Sequence, residues 1–297
     1  MKIGIAGANT AAFAERDHAV ALARAVEAAG VESLWTYEHI VIPAGIQSAY
    51  PYDSSGRMPD ARFPDALDWI AFLSGVTERI RFGTGMLILP EHNPVILAKR
   101  AATIDRLSGG RLLLGVGVGW MKEEFDALAV PWENRGRRAE EYIQAMRRLW
   151  ADDQAAFAGR HVRFPPVHCF PKPLQAPGIP VIIGGHSPAA AARAGRIGDG
   201  FYPPAAPPER VAELIQIMRR SAHEAGRDPA SIEITAGAAP DTDTIKRYQD
   251  LGVARVVISL PAQTPSDLQH SFDTLHESVI SQVSLCQANW HGGIGAP

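Results

Sequence analysis

Eight short, β-rich apolar runs alternate with longer amphipathic stretches along most of this 297-residue chain, and no other feature limits its fold so strongly. The runs are KIGIAG (2–7), ESLWTYEH (32–39), IRFGTGMLIL (80–89), RLLLGVGV (111–118), IPVIIGG (179–185), DGFYPPA (199–205), SIEITAGA (231–238) and ARVVISLP (254–261). A helical pattern follows each of them, as in 14–30, 64–77, 207–226 and 266–282. Such alternation demands parallel strands joined by right-handed crossovers. Eight units in this length favour a closed (β/α)8 TIM barrel over an open doubly wound sheet. Asn93 and Pro94 read as the cap and first-turn proline of the third helix.

Residues 1–297 read as one barrel domain with two insertions in the βα loops, 43–62 and 151–180, and a loosely held tail, 286–297. The first insertion is polar and rich in Pro and Gly, too long for a plain βα turn, and is a candidate active-site loop. Both insertions are expected to set the substrate. A formal net charge of −3 and the lack of a basic run argue against a nucleic-acid or anionic-membrane partner. No apolar run approaches the roughly 20 residues of a membrane span. Cys169 and Cys286 lack any CxxC spacing, so neither a disulfide framework nor a zinc knuckle is expected. These features fit a cytoplasmic protein.

In a barrel of this kind the working face lies at the C-terminal ends of the strands. There the fourth run decays into GVGVGW, where Gly115, Gly117 and Gly119 share a period of two and so one face of an extended chain. Glycine in a strand marks a bulge or a close approach to the backbone. A dinucleotide GxGxxG would need glycine at Trp120, which rules out that reading. In IIGGHSP, Gly184 and Gly185 run straight into a helix start at His186 and Ser187, a pattern suited to cradling phosphate. His39 follows Glu38 at a strand end, just before the long loop. Glu123 and Glu124 read as a solvated helix face. No HExxH or other ligand spacing occurs, so no metal is expected, and no GxSxG nucleophile motif is present.

The run FGTGMLILPEHNPVILAKRAATIDRLSGGRLLLGVGVGW into MKEEFDALAV, joined to PVIIGGHSPAAAARAGRIGDGFYP, resembles the bacterial luciferase-like flavin monooxygenase superfamily, more narrowly its coenzyme F420-dependent oxidoreductase branch. The resemblance covers residues 1 to about 260. It implies a TIM barrel that binds F420, or alternatively FMN, at the strand C-termini. It also implies a cis peptide at Gly85–Met86 backing the ring, with Gly117 and Gly119 against the cofactor. Gly184, Gly185, His186 and Ser187 would hold its phosphate, and Glu38 and His39 would sit at the reacting face. Sugar-phosphate dehydrogenases of this kind carry a glutamate proton donor where this chain has Trp120, and a tryptophan where it has Pro43. Trp120 therefore suggests an apolar wall for a less polar substrate. The resulting expectation is an oxidoreductase acting on a small organic molecule, with His39 moving a proton, and homodimers are usual in such families. An FMN-dependent monooxygenase and a flavin-binding barrel without turnover remain open alternatives.

Overall fold

The structure, a computed structural model, describes residues 1–51, 55–58, 62–203, 206–262 and 264–281, so the expected tail 286–297 lies outside the described residues. Its first half runs β1 (Lys2–Ala6), α1 (Arg16–Ala28), β2 (Ser33–Thr36), α2 (Ala66–Ser74), β3 (Arg81–Thr84), β4 (Leu87–Ile88), α3 (Pro94–Leu107), β5 (Leu112–Gly117), α4 (Lys122–Ala127) and α5 (Arg135–Ala151). A two-stranded antiparallel hairpin follows, β6 (Ala155–Ala158) and β7 (Arg163–Val167). The second half runs β8 (Val181–Gly184), α6 (Pro188–Ile197), β9 (Gly200–Tyr202), α7 (Pro208–Glu224), β10 (Glu233–Ala238), α8 (Thr242–Asp250), β11 (Arg255–Ser259) and α9 (Leu268–Leu275). The parallel order β3-β2-β1-β11-β10-β9-β8-β5-β4 closes on itself because β3 also pairs with β5. β3 and β4 are two halves of one stave, so the expected eight-stave barrel is present. The Asn93 side chain accepts from the N–H groups of Val95 and Ile96, and Asp65 caps α2 in the same way.

Period-two alternation sorts the strand residues between two cores. Trp35, Leu113, Ile182, Tyr202 and Val257 pack together inside the barrel. Their neighbours Leu34, Leu112, Ile183 and Val256 belong to the larger core against the helices. Trp35 is completely buried, and its indole fits because the staves on either side carry Gly4 and Gly83. A methyl group at Gly83 would lie 2.4 Å from the indole, and one at Gly4 2.7 Å from it.

Beneath Trp35 the barrel floor is closed by a charge. Arg255, fully buried, gives its Nε and Nη2 to the two oxygens of Glu32 at 2.8 Å each, and its Nη1 to Glu233 at 2.6 Å. Lys2 also bonds Glu233, and the guanidinium stands over the Trp35 ring, 5.6 Å from its centre. Burial alone would push the Glu32 carboxyl up, but Arg255 outweighs it and holds Glu32 below its ordinary value.

The 151–180 insertion is not a βα loop. It joins the end of α5 to the start of β8, and in a parallel barrel every such αβ connection lies at the face opposite the mouth. Its contacts agree: Gln175 bonds Asp105, the carbonyl of Leu112 and the guanidinium of Arg81, all near strand starts. Lys172 bonds the carbonyls of Leu149 and Asp152. The expected role for 151–180 in substrate choice is therefore corrected; the segment seals the base.

Replacing Arg255 with Met leaves Glu32 and Glu233 without their buried partner. Urea denaturation at pH 7 should show a loss of about 3–5 kcal/mol; a loss under about 1 kcal/mol would mean that the carboxylates recover water.

Candidate active site at the barrel mouth

The stave made of β3 and β4 carries a surplus residue. Gly83 pairs with Leu113 and Leu87 with Val116, so four steps on this stave face three on β5. That two-against-one count is a bulge. The bulge falls at Gly85–Met86, whose peptide bond is cis. It is tied on both sides, by Gly85 N–H to the Thr36 carbonyl at 2.7 Å and by the Thr84 hydroxyl to the Gly115 carbonyl at 2.6 Å.

The glycines around it leave room for the bulge. A methyl at Gly115 would stand 1.9 Å from the Thr84 carbonyl oxygen, and one at Gly184 2.4 Å from the Met86 side chain. Gly117 lies beside Met86 as well, at 3.3 Å from its Cβ. The space above Gly115 and Gly184 is therefore occupied by the bulge and the Met86 side chain. β5 ends at Gly117, and Gly119 (φ +77°) leaves the alternation; its missing side chain makes room for Phe125 and Ile88.

Glu38 and His39 are neighbours in sequence but bond in different directions. Buried Glu38 accepts from Ile88 N–H at 2.6 Å and meets Nε2 of His92 at 3.1 Å, so it braces the upper half of the bulged stave. His39 Nδ1 lies 2.6 Å from Glu124 Oε2. The other Glu124 oxygen accepts from Ile40 N–H at 2.7 Å and Val41 N–H at 3.3 Å. Glu124 is completely buried, which overturns its reading as a solvated face. Glu123 is engaged too, accepting from the N–H groups of Gln47 and Ser48 and from the Ser48 hydroxyl at 2.7 Å. That hydroxyl, followed by backbone N–H groups, holds the Glu123 carboxyl down at about 2. A helix-period pattern could not separate these acids from solvated ones, because their partners come from a loop more than 70 residues away. Trp120 stands edge-on to His39 at 5.8 Å and to Tyr50 at 5.4 Å, and Phe63 lies 5.9 Å from His39.

Glu91 escaped sequence reasoning altogether. It ends the short 3-10 turn after β4, and both its carboxyl oxygens are buried without a hydrogen-bond partner. Burial, then the nearby charges of Glu124 and Glu38, push it up to about 9, so it is a neutral acid at pH 7.

On the adjoining rim, β8 runs through Gly184 and Gly185 (φ +136°) into α6, whose N-cap is Ser187 with its oxygen 3.2 Å from Ala190 N. Arg210 of α7 reaches the His186 carbonyl at 3.3 Å. Arg210 also pairs with Glu213 at 2.7 Å, so it is the bare backbone and helix N-terminus of this corner that suit the phosphate of a cofactor. Among the described residues no group of three or more His, Cys, Asp and Glu is arranged to hold a metal, and no helix is long and apolar enough to cross a membrane.

The sequence pattern of the family described as luciferase-like monooxygenase matches residues 2–250. An uncharacterized protein of Mycobacterium tuberculosis is 34% identical over 251 residues, 83% of this chain and 88% of its own length. An F420-dependent glucose-6-phosphate dehydrogenase of Amycolatopsis mediterranei is 31% identical over 68% of this chain and 56% of its own. An FMNH2-dependent dimethylsulfone monooxygenase of Pseudomonas putida is 38% identical over 44% of this chain and 36% of its own. In fold, the chain is similar to an F420-dependent secondary alcohol dehydrogenase solved with an F420–acetone adduct. The TM-score is 0.76 at 20% identity, covering 95% of this chain and 99% of that one.

Two stability measurements test this geometry. Gly115→Ala drives a methyl into backbone and should cost about 1–3 kcal/mol or more, whereas Gly184→Ala meets a flexible methionine and should cost less; equal losses would remove the bulge as the cause. Glu91 sits at about 9 when folded, against an ordinary value of 4.5. Between those values the folded state holds a proton that the unfolded chain has released, so stability falls as pH rises, by up to about 1.4 kcal/mol per unit. Glu91→Gln removes that slope, and its advantage over the parent in urea midpoint should widen from pH 6 to pH 8. A constant offset would show that the carboxyl is hydrated.

Proposed function

The chain belongs to the luciferase-like monooxygenase family, and on that footing we propose that it is an oxidoreductase passing hydride between coenzyme F420 and a small organic substrate packed against Trp120. One observation carries this reading: a histidine anchored on a buried carboxylate, beside an aromatic wall, at the mouth of a barrel whose third stave is bulged. When bound, the deazaflavin supplies the hydride chemistry. Gly85, Met86 and Gly117 would back its ring, with Gly119 alongside. Gly184, Gly185, His186 and Ser187 would receive its phosphate. Trp120, Tyr50 and Phe63 keep water from the substrate side. His39 gives or takes a proton at Nε2, since Nδ1 is engaged by Glu124. Glu38, although expected at the reacting face, serves in this reading as a brace for β4.

Support for F420 is that the F420-dependent relative aligns with more of the chain, 68% against 44%, while the FMN-dependent one is the more identical over its shorter match, 38% against 31%. The FMN-dependent relative supports a second reading, in which reduced FMN activates oxygen. Titration of the purified protein with each cofactor, followed by reduction and reoxidation assays, separates the two. His39→Ala should lower turnover by roughly 10²–10⁴-fold with little change in cofactor affinity. Unchanged turnover would remove His39 from the reaction, and tight binding without turnover would favour a non-catalytic flavin-binding barrel.

A further inference from the structure

We infer that Glu124 is the positioning residue of His39: it fixes the ring and its proton so that Nε2 alone exchanges protons at the mouth. The inference rests on the reading of His39 as the proton-handling group. Its basis is the division of one carboxylate between side chain and backbone. Oε2 meets Nδ1 at 2.6 Å, while Oε1 takes the N–H groups of the next two residues at 2.7 and 3.3 Å. Ring and carrying backbone are thus held by the same rigid group, and neither can turn without losing a bond to a fully buried oxygen. A carboxylate only accepts, so Nδ1 carries the hydrogen in the neutral ring and Nε2 keeps its lone pair. Nε2 has no protein partner among the described residues. Glu123 extends the same hold to Gln47 and Ser48, so the first turn of α4 suspends the segment 39–48 at both ends. Trp120 and Phe63 pack against the imidazole and leave little room for a second ring orientation.

Histidine-labelled ¹⁵N NMR of the full chain tests this without any cofactor, the His39 resonance being assigned by its loss in His39→Asn. In the parent protein the neutral ring should be the Nδ1–H tautomer, and the Nε2–H tautomer there would overturn the inference whether or not the Glu124 variant folds. Glu124→Gln should abolish the tautomer preference, whereas Glu123→Gln should retain it; an unchanged His39 signal in Glu124→Gln would equally overturn it. In steady-state assays Glu124→Gln should lower kcat by roughly tenfold or more, with cofactor Kd moving less than about twofold. Full turnover in Glu124→Gln beside an inactive His39→Ala would sink the positioning role alone. Full turnover in His39→Ala would instead sink the proton role, leaving the tautomer measurement to decide what Glu124 does.

Discussion

One surplus residue in the third stave organises the mouth of this barrel. Four residues of β3–β4 must span the height that three residues of β5 span, so the chain buckles inward at Gly85–Met86. A buckled stave loses ladder regularity, and three bonds tie it down: Gly85 N–H to Thr36 O and the Thr84 hydroxyl to Gly115 O at the base of the bulge, and Ile88 N–H to Glu38 at its top. The neighbouring staves make space by giving up side chains at Gly115 and Gly184. Gly115 and Gly117 of GVGVGW are thus first a packing solution. They admit the bulge, and the bulge in turn places Met86 at the centre of the mouth.

Around that bulge the protein holds three carboxyl groups, which differ in the donors they meet. Glu38 and Glu124 each have backbone N–H donors and a histidine, enough to replace the water they lose. Glu91 has neither, and so it keeps its proton. A third ionised carboxylate in the same low-dielectric region would repel the other two. The opposite end of the barrel solves the same problem with a cation, where Arg255 balances Glu32 and Glu233 under Trp35.

Local features of this fold were readable in the chain, and those made across long sequence distances were not. Eight β-rich runs, the cap at Asn93 and the proline at Pro94 are properties of a few adjacent residues, and all reappear in the barrel. His39, Trp120 and Met86 follow the C-terminal ends of their strands, as the run pattern placed them. Glu124 looked solvated because helical periodicity reports which face is polar but not whether a loop 85 residues away covers it. Glu91 had no signal, since an acid after a proline turn is ordinary until its oxygens are seen to be buried. The misplacement of 151–180 was different in kind: the order helix, insertion, strand already puts that segment at the base, whatever its composition.

The two sides of His39 differ, and the contrast bears on what the site can accept. Behind the imidazole lies a fully buried carboxylate, and around it lie the rings of Trp120, Phe63 and, through Trp120, Tyr50. A charge-assisted bond strengthens when water is kept away, so the aromatic wall stabilises the His39–Glu124 contact as well as shaping the substrate space. The same wall offers no hydrogen-bond donors or acceptors beyond the indole N–H and the Tyr50 hydroxyl. A polar, many-hydroxyl substrate would leave its groups unpaired against these rings, at a cost of about 1–3 kcal/mol for each. A compact molecule with one polar centre beside Nε2 meets no such penalty. On the proposed reading Trp120 would therefore act twice, by offering sugar-like substrates no carboxylate partner and by covering the His39 ring.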